Sequence, residues 1–221
     1  MNFPDDLFPT AWSLAAWLPV LVAWGLSAKR VAWRRLADSA QLHVLAGTVV
    51  VLALLWSMQA GVQPGLNFHL VGATVMVLAF GPHLALLGLT LVLAAVTFNG
   101  AAAWSGFALN VLVMAIVPVL VAHGIFRAAD RYLPNHLFVY LFVPAFLGAA
   151  LAVLAIGATA TLFLFAAGVY GGDYLMSEYL PYFLLLAFSE AWISGMAMTL
   201  MVVYRPEWVA TFDDRRYLLN K

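Results

Sequence analysis

Cysteine is absent from the 221 residues. Disulfides and thiolate metal sites are thereby excluded, and any bound metal must be held by nitrogen or oxygen donors. Charge is almost as scarce, at 9% Asp, Glu, Lys and Arg against 65% hydrophobic residues. A soluble domain has too few charges here to cover so much apolar surface, so the composition points to a polytopic membrane protein. Also missing are a basic segment ahead of the first apolar run, a Gly-rich phosphate loop, and any HxxxH or HExxH spacing. The first absence leaves MNFPDDLFP unlike a cleaved leader, so Met1 is expected to stay on the mature protein. The others argue against nucleotide hydrolysis by this chain and against a multi-histidine zinc site. No nucleophile–base pair can be assembled, so no enzymatic activity is expected, and no internal repeat of transporter type is visible.

What the chain does have is a series of long apolar runs. Residues 1–9 form a short polar lead with Pro4 and Pro9, which favour an extended path. Spans are expected at 10–27, 42–60, 67–80, 83–98, 105–126, 137–168 and 180–204, with a turn at Gly61–Gly65 and a break at Gly81-Pro82. The expected architecture is therefore all-α: a single integral membrane domain over residues 1–221, with about seven transmembrane helices. The ten Lys and Arg residues all fall in 28–41, 127–136 and the tail 205–221, and none falls in the alternate segments. The positive-inside rule then orients the chain with its N-terminal lead outside and its tail in the cytoplasm.

The stretch Leu66–Leu87 organises the rest, because it places His69 and His83 in apolar surroundings. A histidine within a lipid-buried segment needs a partner, a cavity or a ligand. His69, near the outer end of its expected helix, reads either as an interhelical hydrogen bond or as a ligand facing an outward cavity. His83, His43, His136 and His123 all fall near the opposite side and cannot readily join it. Glu190 is the lone carboxylate inside a span, so it must face protein or a cavity, or be protonated. Asn110 is an intramembrane amide suited to tying helices together or steadying a binding loop. Asp5 and Asp6 in the lead are placed to line an entry path for cations.

These features resemble the cobalt/nickel substrate-capture subunits of energy-coupling-factor transporters. The resemblance runs from Phe3-Pro4-Asp5 and Leu7 through His69-Leu70-Val71-Gly72, Gly81-Pro82 and Phe98-Asn99-Gly100. It continues in Ala108–Ala115 with Pro118 beyond, and ends in Ser189–Gly195 and Arg205-Pro206. It implies that the N-terminus tucks into the outer side of the bundle and that metal is held there by nitrogen donors. On this chain those donors are Met1 and Asn2 of the lead and His69, with Asp5 accessory and Asn110 and Glu190 supporting. Position two is Asn2 where the family carries histidine, and Val113 and Ala94 replace an asparagine and a glutamine, which implies a divergent member with an altered coordination shell. Also implied are uptake of Ni or Co (less so Zn or Cu), with no permanently bound cofactor and no nucleic acid partner. The partners implied are a membrane coupling protein and cytoplasmic ATPase subunits, in a bacterial inner membrane. The alternative from another class is a non-transporting scaffold or accessory subunit of a larger membrane complex.

Overall fold

A computed structural model describes residues 2–5, 7–37 and 39–219. Among these, five helices are long and apolar enough to cross a membrane: α1 (Thr10–Arg30), α2 (Ser39–Ser57), α5 (Phe107–Tyr132), α6 (Leu137–Ala166) and α8 (Tyr182–Tyr204). Between α2 and α5 lie a small hairpin, β1 (Ala60–Gln63) and β2 (Leu66–Phe68), then α3 (Ala73–Phe80) and α4 (Pro82–Phe98). A short helix, α7 (Gly172–Glu178), occupies the connection from α6 to α8 that reads as a loop in the sequence. The molecule is thus an all-helical polytopic bundle carrying one antiparallel hairpin.

The largest departure from expectation concerns the third apolar run. Residues 67–80 do not form one helix: Leu66–Phe68 pair with β1, residues 69–72 form an irregular loop, and helix begins at Ala73. Gly72 explains the late start, because it sits at φ 69, a left-handed conformation that favours glycine. Gly81, at φ 82, ends the helix, and Pro82 opens α4 from its first turn, where a missing N–H costs nothing. Eight residues give α3 a length of about 12 Å, far short of a hydrocarbon core of about 30 Å. Seven of its residues are buried. It packs against α4, α5, α6 and α8, so it is apolar on every side.

Two prolines shape their helices. Pro118 and Pro144 cannot donate to the helical ladder, and α5 and α6 widen into π-turns at Leu112–Ile116 and Leu141–Leu147, each just before or around a proline. Helix α5 also runs on to Tyr132, so Arg127 and Arg131 lie on its last turns rather than in a basic loop. The tail corrects expectation as well. It is not simply polar: Val209, Phe212 and Tyr217 are buried with Leu78, Tyr140 and Met198 in a second apolar cluster. Helix α3 draws it in. Leu78 and Ala79 carry last-turn carbonyls, and Pro82 has no N–H to give Leu78. The tail supplies donors instead, from the Ala210 N–H to Ala79 O (2.9 Å) and from the Thr211 hydroxyl to Leu78 O (2.8 Å).

Candidate metal-capture site

The loop 69–72, between β2 and α3, is clamped from two sides. The Glu190 carboxylate of α8 accepts the N–H of Val71 on Oε2 (2.8 Å) and of Gly72 on Oε1 (2.6 Å), with the Ser194 hydroxyl 3.5 Å from Oε1. From α2 the Trp56 indole N–H donates to the Val71 carbonyl (3.1 Å). Glu190 comes eight positions after Tyr182, so the clamp lies about 12 Å along α8 from that end. Glu190 thus accepts the first free N–H groups at the N-terminus of α3, as a capping side chain does, and it fixes where α3 begins.

His69 sits in this clamped loop, 4% exposed, its ring 5.0 Å from that of Trp56. Its Nδ1 is 3.1 Å from the Leu70 carbonyl oxygen, which can only accept, so Nδ1 carries the proton. Nε2 is left with its lone pair, buried and without a hydrogen-bond partner among the described residues. That is the form in which imidazole binds metal, with the other nitrogen oriented by a carbonyl.

The N-terminal lead folds into the same end of the bundle. Asn2 and Phe3 are buried, and Phe3 packs edge-on against Phe8 (4.8 Å). The Asn2 N–H donates to Asn67 Oδ1 (2.8 Å), and Asn67 donates in turn to Gln59 Oε1 (2.7 Å). Asn110 grips the next residue in both directions, accepting from Phe3 N (2.8 Å) and donating to Phe3 O (3.1 Å). Both polar atoms of the Asn2 side chain are buried without a partner among the described residues, as is His69 Nε2. Asp5 stands apart: it is exposed, accepts a hydrogen bond from Ser105, and with Asn2, Gln59, Gln63 and Asn67 lines a cavity of about 460 Å³. Met1 and Asp6 lie outside the described residues.

Replacing Asn110 with alanine removes both partners of the Phe3 backbone. Each buried group left unpaired costs about 1–3 kcal/mol, so the lead is expected to release before the bundle melts. Limited proteolysis checks this: cleavage within residues 2–8 should appear in Asn110→Ala at temperatures where the parent is resistant.

The remaining histidines stay away from His69. His83 Nδ1 lies 3.3 Å from the Ser27 hydroxyl, His136 accepts from Phe138 N at the start of α6, His43 lines a groove between α2 and α8, and His123 lines a cavity on the side opposite the lead. No cluster of three or more His, Asp or Glu forms among the described residues. The polar groups at the lead end are mostly amides. Asn67, Gln59 and Trp56 were not singled out from the sequence; an amide pair flanking the Gly61–Gly65 turn was the available signal for the first two.

Residues 2–208 match the CbiM family, described as a cobalt uptake substrate-specific transmembrane region. The chain belongs to this family. This CbiM-family chain is accordingly a multi-pass membrane component of cobalt or transition-metal uptake and not an enzyme, which sets aside the scaffold alternative. Its fold is similar to that of a solved truncated transition metal transporter, with a TM-score of 0.74 and 20% sequence identity, covering 92% of this chain and 99% of that one. A second solved transition metal transporter gives 0.73 and 20%, covering 91% of this chain and 92% of its own. No curated protein matches the CbiM-family chain in sequence.

Proposed function

We propose that the chain captures Co²⁺, or a similar late transition-metal cation, at the end of the bundle that holds the N-terminal lead. The observation that carries this reading is the pair of buried, unpartnered donors there: His69 Nε2 and the Asn2 amide. A polar atom without a partner in an apolar interior is costly, and coordination to a metal ion is a way to satisfy it. His69 serves as the imidazole donor and Asn2 as an amide donor, Met1 completes the shell through its amine, and Asp5 attracts cations at the mouth. Asn110 holds the lead, and Glu190 holds the loop that carries His69.

In this reading the lead faces outward across a bacterial inner membrane and the tail faces the cytoplasm. The five long helices, with the shorter α3 and α4 as a pair that enters the bundle and returns, satisfy that arrangement. Lys29 and Arg30 at the end of α1, Arg127 and Arg131 at the end of α5, and Arg205 after α8 then share the inner side, in keeping with the positive-inside rule. Cargo passes to a membrane coupling protein driven by cytoplasmic ATPases.

The purified chain with a free N-terminus should bind one Co²⁺ by titration and elemental analysis. A version extended by several residues before Met1 should bind at least about tenfold more weakly, the scale expected when one donor of a set is displaced. No binding of Co²⁺, Ni²⁺, Zn²⁺ or Cu²⁺ by the free chain would overturn the reading, and equal affinity in the extended chain would remove Met1 and Asn2 from the site.

A further inference from the structure

Residues three or four apart on a helix share one face, so Leu120, His123, Arg127 and Arg131 form a single stripe along the second half of α5. Leu120 is 65% exposed, and Gly124, Arg127 and Arg131 are exposed as well. Gly124 leaves a notch in the stripe, since nothing lies within 4 Å of where a Cβ would stand. The stripe thus passes from apolar to basic over roughly 16 Å.

Its basic end opens into the cavity of about 760 Å³, lined by His123, Arg127, Asp130, Arg131, Thr211 and Arg216. Three arginines face one carboxylate there, and that carboxylate is taken: Arg216 pairs with Asp130 at 2.6 Å. Asp213 nearby spends an oxygen on its own turn, accepting from Arg215 N (2.8 Å). Arg127 and Arg131 have no ion pair among the described residues. Arg131 lies over the Tyr132 ring (5.3 Å), which leaves the edge of its guanidinium free to donate. One turn before Arg127, His123 Nδ1 is buried with no hydrogen-bond partner among the described residues.

We propose that this cavity binds one anionic phospholipid, its phosphate held by Arg127 and Arg131 and its acyl chains laid along α5 past Gly124 and Leu120. Guanidinium forks match the paired oxygens of a phosphate. Basic pockets between membrane helices on the cytoplasmic side suit anionic headgroups. The apolar continuation of the stripe favours a lipid over a free phosphate, because it offers surface to the chains as well as to the headgroup. Tyr132, 73% exposed beside Arg131, is of the residue type that settles at headgroup level. The inner-leaflet placement rests on the orientation given above; the binding itself does not rest on metal capture, and a chain that fails to bind Co²⁺ can still hold the lipid.

The test uses the full chain purified in detergent and stripped of lipid, with phosphatidylglycerol or phosphatidylcholine of the same acyl chains added back. Native mass spectrometry is expected to show one phosphatidylglycerol retained. A basic residue near a membrane surface contributes about fivefold, so two free arginines should give a preference of roughly 25-fold over phosphatidylcholine. Arg127→Gln with Arg131→Gln should abolish the preference at an unchanged melting temperature, and Arg127→Lys with Arg131→Lys should retain part of it. Gly124→Leu fills the notch and should weaken retention of phosphatidylglycerol several-fold. Equal retention of both lipids by the parent chain would overturn the proposal. So would displacement of the lipid by glycerol 3-phosphate at equal concentration, which would assign the site to a soluble phosphate. In the whole transporter assembly, loss of the ATPase subunits from the Gln pair with lipid preference unchanged would overturn it too, giving the arginines to an acidic protein surface.

Discussion

His69→Ala is expected to abolish stoichiometric Co²⁺ binding while leaving the fold intact. Loss of a residue that only orients a metal ligand costs about 10–100-fold in affinity, so loss of a ligand itself should cost on the order of 100-fold or more. The fold should tolerate the change for a specific reason. Truncation forfeits the contact with Trp56, 5.0 Å away, and the bond to the Leu70 carbonyl, but it also removes a buried nitrogen that has no partner among the described residues. The second effect offsets the first by about 1–3 kcal/mol. Titration with Co²⁺ and a melting curve on the same preparation decide the matter. Unchanged affinity would remove His69 from the site, and a collapsed melting temperature would assign it a packing role instead.

Glu190→Ala should behave in the opposite way, damaging stability first and binding as a consequence. The carboxylate accepts the N–H groups of Val71 and Gly72, and no other acceptor is within hydrogen-bond reach of these two amides among the described residues. Each bond is worth about 0.5–1.5 kcal/mol net, and stranding each donor in a dry interior costs about 1–3 kcal/mol. A drop of several kcal/mol is thus expected, on the order of the whole margin by which many domains fold. Glu190→Gln sharpens the test. It keeps one acceptor oxygen but turns an amide NH₂ towards a backbone N–H, so it should recover part of the stability and little of the Co²⁺ affinity. If Gln restored full binding, the two-oxygen clamp would not be what positions His69.

The sequence and the fold part company at identifiable residues. Long apolar runs announce membrane helices because no other structure hides so many hydrophobic residues with so few charges, and α1, α2, α5, α6 and α8 were legible on that ground. The start of α3 was not. Residues 66–80 are apolar almost throughout, and periodicity cannot separate a short strand from a helix in such a run. A positive φ at Gly72 decided it, and no one-residue pattern reveals that. His69, Asn110 and Glu190 stood out as polar residues in apolar sequence. Their partners did not, since Phe3 meets Asn110 across 107 residues and Val71 meets Glu190 across 119. In the tail the charges served only to orient the chain, while Phe212 and Tyr217 held the information that it docks.

The brevity of α3 also bears on voltage. Polar cavities of about 460 Å³ and 760 Å³ lie towards the two ends of the bundle, and the 12-Å helix stands between the His69 loop and the tail. A membrane potential drops mainly across whatever material excludes water and ions. If water in those cavities reaches both ends of α3, the excluding layer is thinner there than a lipid core of about 30 Å and the local field steeper. A divalent ion crossing the full potential exchanges about 4.6 kcal/mol per 100 mV with it. On the capture reading, a cation held at the His69 loop sits at one edge of that layer.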